Sequence, residues 1–402
     1  MDLAQWVDET YMISIRRELH QYPELAFDLP KTRSIVKREL DKMKLSYSEA
    51  YGPGSLVAFI NEHKTNFTIG IRADMDALPV VECNDVPYRS KIEGQMHACG
   101  HDAHTAILLG TAMAFNQMRD QIKCRIALIF QPSEEGQESG ARKMVEAGVM
   151  EEIDLIIGLH VENDLPVGTV GICPGFAQAA SRTIQLLFSG KSAHAALPHT
   201  GIDALAMAIR TYVSIQMVLT RELDPQQRYL CSFGKLTSGT TQNVVPESSE
   251  LLGTIRTYDA GIDQYILKRI RAIADHTAQE TGGQAAVQTN LKCLPVYNSP
   301  KLSQSFMKSA EKVVGPERVQ IVPSRMSSED FSFYLKEKPG VLFRLGTGNP
   351  EKGCIGKPHH GDFQIDEDAL ATGCKIFLQF VLDHMEGIPD ISHEVDLSSW
   401  HD

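Results

Sequence analysis

Three things are scarce in this sequence, and each scarcity removes a class of explanation. No window approaches the roughly 18 consecutive apolar residues that a membrane-spanning helix requires, although 43% of the 402 residues are hydrophobic. No CxxC pair occurs either: the eight cysteines stand far apart, at 83, 99, 124, 173, 231, 293, 354 and 374. Dispersed in this way, and with no secretory signal, most of them are expected to be small buried hydrophobes in a reducing compartment. Positive charge is the third shortage. The 39 Lys and Arg against 51 Asp and Glu give a formal net charge of −12. That balance argues against a nucleic-acid or anionic-membrane surface, though not against a local cationic pocket. Repeats and low-complexity tracts are missing as well. The first residues, "MDLAQWVDETYMISIRRELH", open acidic and are apolar only at helical spacing. They do not read as a signal peptide, and the expected location is the cytoplasm.

What is there is enough chain for roughly two or three domains. Residues 12–47 read as two helices around a turn at "QYPEL". Short apolar, β-rich runs follow at 55–60, 67–73, 125–131 and 154–161, with helical segments at 103–118 and 140–149 between them. Strands alternating with helices predict an α/β domain whose sheet is largely parallel and flanked by helices. From about 177 the pattern changes to strand, helix, two strands, helix, strand, a self-contained β-α-β-β-α-β order. Beyond 292 the α/β character returns, with "VLFRLGTG" as a strand and a closing helix before a polar tail. The expected organisation is a catalytic domain over 1–176 and 292–402, with an α+β domain inserted over 177–291.

The residues able to do chemistry fall where such sheets bind ligands, at the carboxyl ends of strands. "GQMHACGHDAH" (94–104) packs three histidines, a cysteine and an aspartate into eight positions. Cys99 and His101, separated by Gly100, can face one centre, and the N-terminus of the helix that follows would favour a thiolate. Thiolate plus imidazole suits a borderline transition metal rather than Ca²⁺ or Mg²⁺. The competing explanation is a buried thiol and a histidine that caps the helix. "QPSEEG" places Glu134 and Glu135 directly after an apolar strand. Adjacent loop residues diverge, so one carboxylate can bind metal while the other serves as a base; the alternative is a solvated pair. His160 ends the apolar run "DLIIGLHV", and "KPHHGDF" adds His359 and His360.

Taken in order, "RRELHQYPELAF", "RADMDALPV", "GQMHACGHDAHTAILLG", "FQPSEEG", "GLHV", "SAHAALPHTGIDAL", "NVVPESSELLGTIRT" and "SSEDFSFY" resemble the amidohydrolases that include hippurate hydrolase, aminoacylases and auxin-amino-acid conjugate hydrolases. These belong to a wider group of two-metal metallopeptidases, with a catalytic domain and an inserted dimerisation (lid) domain. The likeness runs from about residue 12 to 385.

The resemblance implies two divalent transition-metal ions (Zn, Mn, Co or Ni) held by Cys99, His101, Glu135, His160 and His359, with Glu134 as general base. It puts Asp76 in the place of an aspartate that orients a metal-bound histidine. Asp74 stands where the wider group has that histidine, and is left outside the ligand set. The family's last ligand usually precedes Ser-Pro or Asn-Pro, whereas this chain has His359-His360-Gly361. His359 keeps the downstream phenylalanine and acidic residues in step, and His360 stays open. His194 matches a histidine that reaches across a dimer to the oxyanion, and Asn243 and Arg256 match positions that hold a substrate carboxylate. The implied activity is metal-dependent hydrolysis of N-acyl-amino acids by a homodimer or tetramer. A dipeptidase or aminopeptidase, or a silent metal-binding relative, are the alternatives.

Overall fold

The computed structural model describes residues 2–388 and 397–400. Helix α1 (Glu9–His20) is capped by the Asp8 carboxylate, which accepts from Tyr11 N, and α2 (Pro30–Lys42) starts on a proline whose missing N–H would go unused there. Strands β1 (Tyr47–Ser48), β2 (Leu56–Ile60), β3 (Thr68–Asp74), β4 (Arg125–Gln131), β5 (Leu155–Pro166) and β6 (Val170–Ile172) follow. Helix α3 (His101–Gln117) connects β3 to β4, and α4 (Gly140–Glu146) connects β4 to β5. Next come β7 (Ala180–Ser189), α5 (Ala204–Glu222), β8 (Tyr229–Ser238), β9 (Ser248–Thr257), α6 (Ala260–Thr281) and β10 (Gln284–Cys293). The chain continues through α7 (Pro300–Val314), β11 (Val319–Ile321), β12 (Gly340–Gly348) and α8 (Asp368–His384).

By contact, 2–177, 296–324 and 330–388 form one unit, and 178–295, 325–329 and 397–400 form another. The first holds an eight-stranded sheet in the order β1-β2-β4-β3-β5-β12-β6-β11. Its central strands β4, β3, β5 and β12 run parallel, while β2 pairs antiparallel with β4, and β6 pairs antiparallel with β12 and parallel with β11. The mixed α/β fold with a mostly parallel sheet is therefore present. Strands β3 and β4 are buried at every position, and this is why they read as continuous apolar runs without alternation. Helix α3 is buried at 14 of its 17 positions, as a helix covered on all sides must be. Its first turn is hung from the end of β3, where Thr105 Oγ1 donates to the Asp74 carbonyl at 2.9 Å.

Two local readings are corrected. Strand β5 continues to Pro166, so His160 lies within the strand and not at its end. Helix α7 had no counterpart in the sequence reading, although Ser299 caps it by accepting from Leu302 N, Pro300 opens it, and buried Leu302, Phe306 and Ala310 recur at four-residue spacing. That combination is a full helix-start signal.

The second unit is an antiparallel sheet in the order β8-β9-β7-β10, with α5 and α6 packed on it and elements in β-α-β-β-α-β succession. Arg182 on β7 and Asp263 on α6 form a buried ion pair at 2.8 Å. Among the described residues no helix is long and apolar enough to cross a membrane.

Candidate metal centre

The site is assembled from turns at the ends of β3 and β4, the start of α3, and two more distant segments. Asp76, two residues beyond β3, accepts from Glu134 N through Oδ1 and from Glu135 N through Oδ2, both at 3.0 Å. This clamp fixes the tight turn after β4. Ser133 there has φ +53°, and a Cβ added at Gly136 would lie 2.1 Å from Ser133 Oγ. Only glycine fits.

Gly100 has φ +82°, and a Cβ on it would stand 2.3 Å from Val161 Cγ2. The turn it makes delivers Cys99 and His101 to the same place. His101 is the first helical residue of α3 and not a side-chain cap. It is buried, neither ring nitrogen has a hydrogen-bond partner, and Nδ1 stands 3.4 Å from Asp76 Oδ1. Cys99 Sγ lies 3.4 Å from His160 Nε2. His160 Nδ1 contacts the Val161 carbonyl at 2.7 Å. A carbonyl only accepts, so Nδ1 carries the proton and Nε2 presents its lone pair toward the thiol.

His359 adopts φ +66°, its N–H donates to Ala98 O at 2.8 Å, and its Nε2 is 2.9 Å from Glu135 Oε1. The ligand-capable atoms of Cys99, His101 and His160 lie within 4.8 Å of one another, as do those of Cys99, Glu135 and His359, and those of His101, Glu134 and Glu135. Cys99 is thus common to two adjacent donor groups. Among the described residues His360 joins no such group. Asp74 is already engaged, by Arg72 Nη1 at 2.6 Å and by His104 Nδ1 at 2.6 Å. His104 Nε2 accepts from Val161 N at 3.0 Å, so both of its ring nitrogens are occupied.

The field of this cluster is negative. Burial first, then Glu135, Glu134 and Asp74, push the Cys99 thiol well up. The help expected from the start of α3 is outweighed by burial and these carboxylates, and the thiolate needs a cation beside it. Burial alone would lower His101, but Asp74, Asp76 and Glu135 raise it to about 10. Sulfur, nitrogen and oxygen donors, two unpartnered imidazole nitrogens and a surplus of negative charge fit a borderline divalent metal. If Cys99 is a ligand, Cys99→Ala should lower metal content, and thiol reagents should label Cys99 much faster in apo than in metal-loaded protein. Equal labelling rates would return Cys99 to an inert buried thiol.

With the geometry in hand, comparison with known proteins is decisive about kinship. The sequence profile of peptidase family M20/M25/M40 matches residues 70–383. The chain belongs to this family. This M20 chain is 36% identical over 371 residues to thermostable carboxypeptidase 2 of Saccharolobus solfataricus, covering 91% of the chain and 93% of that relative. It is 34% identical over 389 residues to the N-acetylcysteine deacetylase of Bacillus subtilis, covering 96% of the chain and all of the relative. A solved M20 structure from Bacillus subtilis, described as a dinuclear metal binding peptidase, superposes with a TM-score of 0.77 at 32% identity, covering 94% of this chain and 99% of that one. This M20 chain is an amide-bond hydrolase.

Three candidate residues lie in the second unit. His194 is exposed within a two-residue strand paired with Val244–Val245, and its Nδ1 accepts from Ala196 N at 3.0 Å. It does not cap α5, a role taken by Asp203. Asn243 is its neighbour across that short ladder, its carbonyl accepting from Ala195 N at 3.0 Å. Arg256, on β9, stands opposite Ser181 and Leu230 and binds the Thr254 hydroxyl and the Ile255 carbonyl.

The support beneath the site comes from residues outside the candidate set. Arg72, inside the buried strand β3, holds Asp74 and also Asp330, the latter at 3.0 Å. A charge in the middle of an apolar strand needs a buried partner, and that was the available signal.

Proposed function

We propose that this M20 hydrolase cleaves the amide bond of N-acyl-amino acids, adding water to give a carboxylic acid and a free amino acid. The observation that carries the reading is Glu134 beside His101 and Glu135, within a cluster of sulfur, nitrogen and oxygen donors. The likeness to a protein described as an N-acetylcysteine deacetylase supports it. In this reading Cys99, His101, Glu135, His160 and His359 hold two divalent ions, Zn, Mn, Co or Ni, which when bound polarise the amide carbonyl and bring water's pKa to roughly 7. Glu134 takes the proton of the attacking water and delivers it to the nitrogen of the leaving amine. Asp76 fixes the Glu134–Glu135 turn by holding both of their peptide N–H groups, and stands beside His101 Nδ1 to orient that ring.

Asn243 and Arg256 are assigned to the substrate carboxylate. The planar guanidinium pairs with a carboxylate through two parallel bonds, and the Arg256 partners, a hydroxyl and a carbonyl, are both neutral. His194 is assigned to the oxyanion, supplied by the other protomer of a homodimer or tetramer, with the second unit as dimerisation (lid) domain. Supporting that assembly, α5 exposes Ile209, Tyr212, Val213 and Met217 on one face, and the edge strand β8 exposes Leu230 and Leu236. A cytoplasmic location completes the proposal.

The name of the carboxypeptidase relative favours a second reading, in which the acyl group is itself a peptide. A hydrolysis screen after loading with each metal separates the two. Release of amino acid from N-acetyl and N-benzoyl substrates, but not from dipeptides, is the expected result. Turnover of peptides alone would replace the first reading with the second, and metal uptake with no turnover of either would make the chain a binding protein.

A further inference from the structure

The candidate ligands come from segments far apart in sequence, and a buried chain of side chains connects two of those segments. Leu78 and Met96 exchange two backbone hydrogen bonds at 3.0 Å and close the loop between them. That loop reaches the segment after His359: Cys83 N donates to Gly361 O at 2.7 Å, and Asn84 Nδ2 donates to Phe363 O at 2.9 Å. In the same loop, Glu82 Oε2 accepts from Ser90 N at 2.7 Å, and Oε1 meets His20 Nε2 at 3.1 Å. The other ring nitrogen of His20, Nδ1, lies 2.8 Å from Asp102 Oδ2. Asp102 is the second residue of α3, adjoining His101, and its Oδ2 is also held by Arg16 Nε at 2.8 Å. His20, Glu82 and Asp102 are all buried.

We propose that His20 is a positioning residue for the metal centre, a strut that keeps the Cys99–His101 turn and the His359 segment in register. The proposal rests on the reading of Cys99, His101 and His359 as metal ligands. Neither His20 nor Glu82 belongs to a donor group, so the effect passes through Asp102 on one side and the 78–96 loop on the other. With a carboxylate against each ring nitrogen, His20 acts as a double donor, and its pKa is raised: burial opposes the charge, and the carboxylates of Asp102 and Glu82 prevail. Stability does not explain why such charges are buried. Apolar side chains of similar volume are often as stabilising as a buried ion pair, whereas directional contacts to both ring nitrogens of His20 specify one geometry. A metal site needs that precision, because ligands must be held within about 0.5 Å of their working positions.

The test uses the full-length chain loaded with Co²⁺, whose thiolate charge-transfer absorption reports on Cys99 directly. His20→Ala should weaken Co²⁺ binding by the roughly 10–100-fold typical of groups that support ligands, measured by chelator competition, and should diminish the thiolate band. Two conservative variants separate the arms. In His20→Asn the amide nitrogen can take the place of Nδ1 and keep Asp102, and in His20→Gln it can take the place of Nε2 and keep Glu82. The band should recover more fully in His20→Asn, since Asp102 adjoins the Cys99–His101 turn. Unchanged affinity and band in His20→Ala would overturn the proposal. So would Asn and Gln variants indistinguishable from Ala, or failure of all three to fold, which would make His20 a folding element. If the wild-type chain takes up Co²⁺ without a thiolate band, the ligand reading fails first and the proposal with it.

Discussion

Glu134→Gln is expected to retain its metal content and to lose turnover by roughly 10²–10⁴, the range for a positioned acid–base group. The amide keeps the size of the carboxylate and most of its hydrogen bonding, but it cannot accept the proton of water. The Glu134 backbone N–H is held by Asp76, so the turn that also carries Glu135 should survive the change. Metal analysis beside steady-state kinetics on an N-acyl-amino acid separates the two effects. Retention of most of the activity would remove Glu134 from the mechanism. Joint loss of metal and activity would make it a ligand instead.

Mixing Glu134→Gln with His194→Ala is expected to restore activity once subunits exchange. His194→Ala alone should lose about the 2.7–4 kcal/mol associated with removal of one oxyanion donor. If His194 serves the neighbouring protomer, a mixed dimer contains one site lacking both residues and one site wholly intact. Exchange of equal amounts then returns about a quarter of wild-type activity, because half of the dimers are mixed and each has one working site. The exposed position of His194 suits a residue that acts on another chain. Confirmed exchange with no recovery would assign His194 to its own chain or remove it from catalysis.

Much of this chain could be read before any coordinates, and the reasons are physical. The motif 97–101 concentrates donor atoms so densely that packing is a poor explanation for them. The buried strands β3 and β4 announce themselves as unbroken apolar runs because both faces are covered. Residues near in sequence were thus legible: Cys99 with His101, and Glu134 with Glu135. What spacing alone could not supply was distance between remote segments. His359, with a left-handed backbone, reaches Glu135 across more than half of the chain, whereas among the described residues His360 joins no donor group.

Charge was the other thing hidden. The sequence puts a helix start beside Cys99, and from that alone a thiolate looks favoured. Only the fold reveals that burial, with Glu135, Glu134 and Asp74, disfavours the charge on that sulfur. The sequence by itself determined which chemical groups exist and which local turns can present them, because these depend on side-chain identity and nearest neighbours. Tertiary structure alone decided which carboxylates are consumed, Asp74 by Arg72 and His104, Asp76 by two peptide N–H groups. Apart from Arg72 with Asp74, those pairings join residues 30 to 59 positions apart, and Coulomb and hydrogen-bond energies depend on separation in space, which only the folded chain sets.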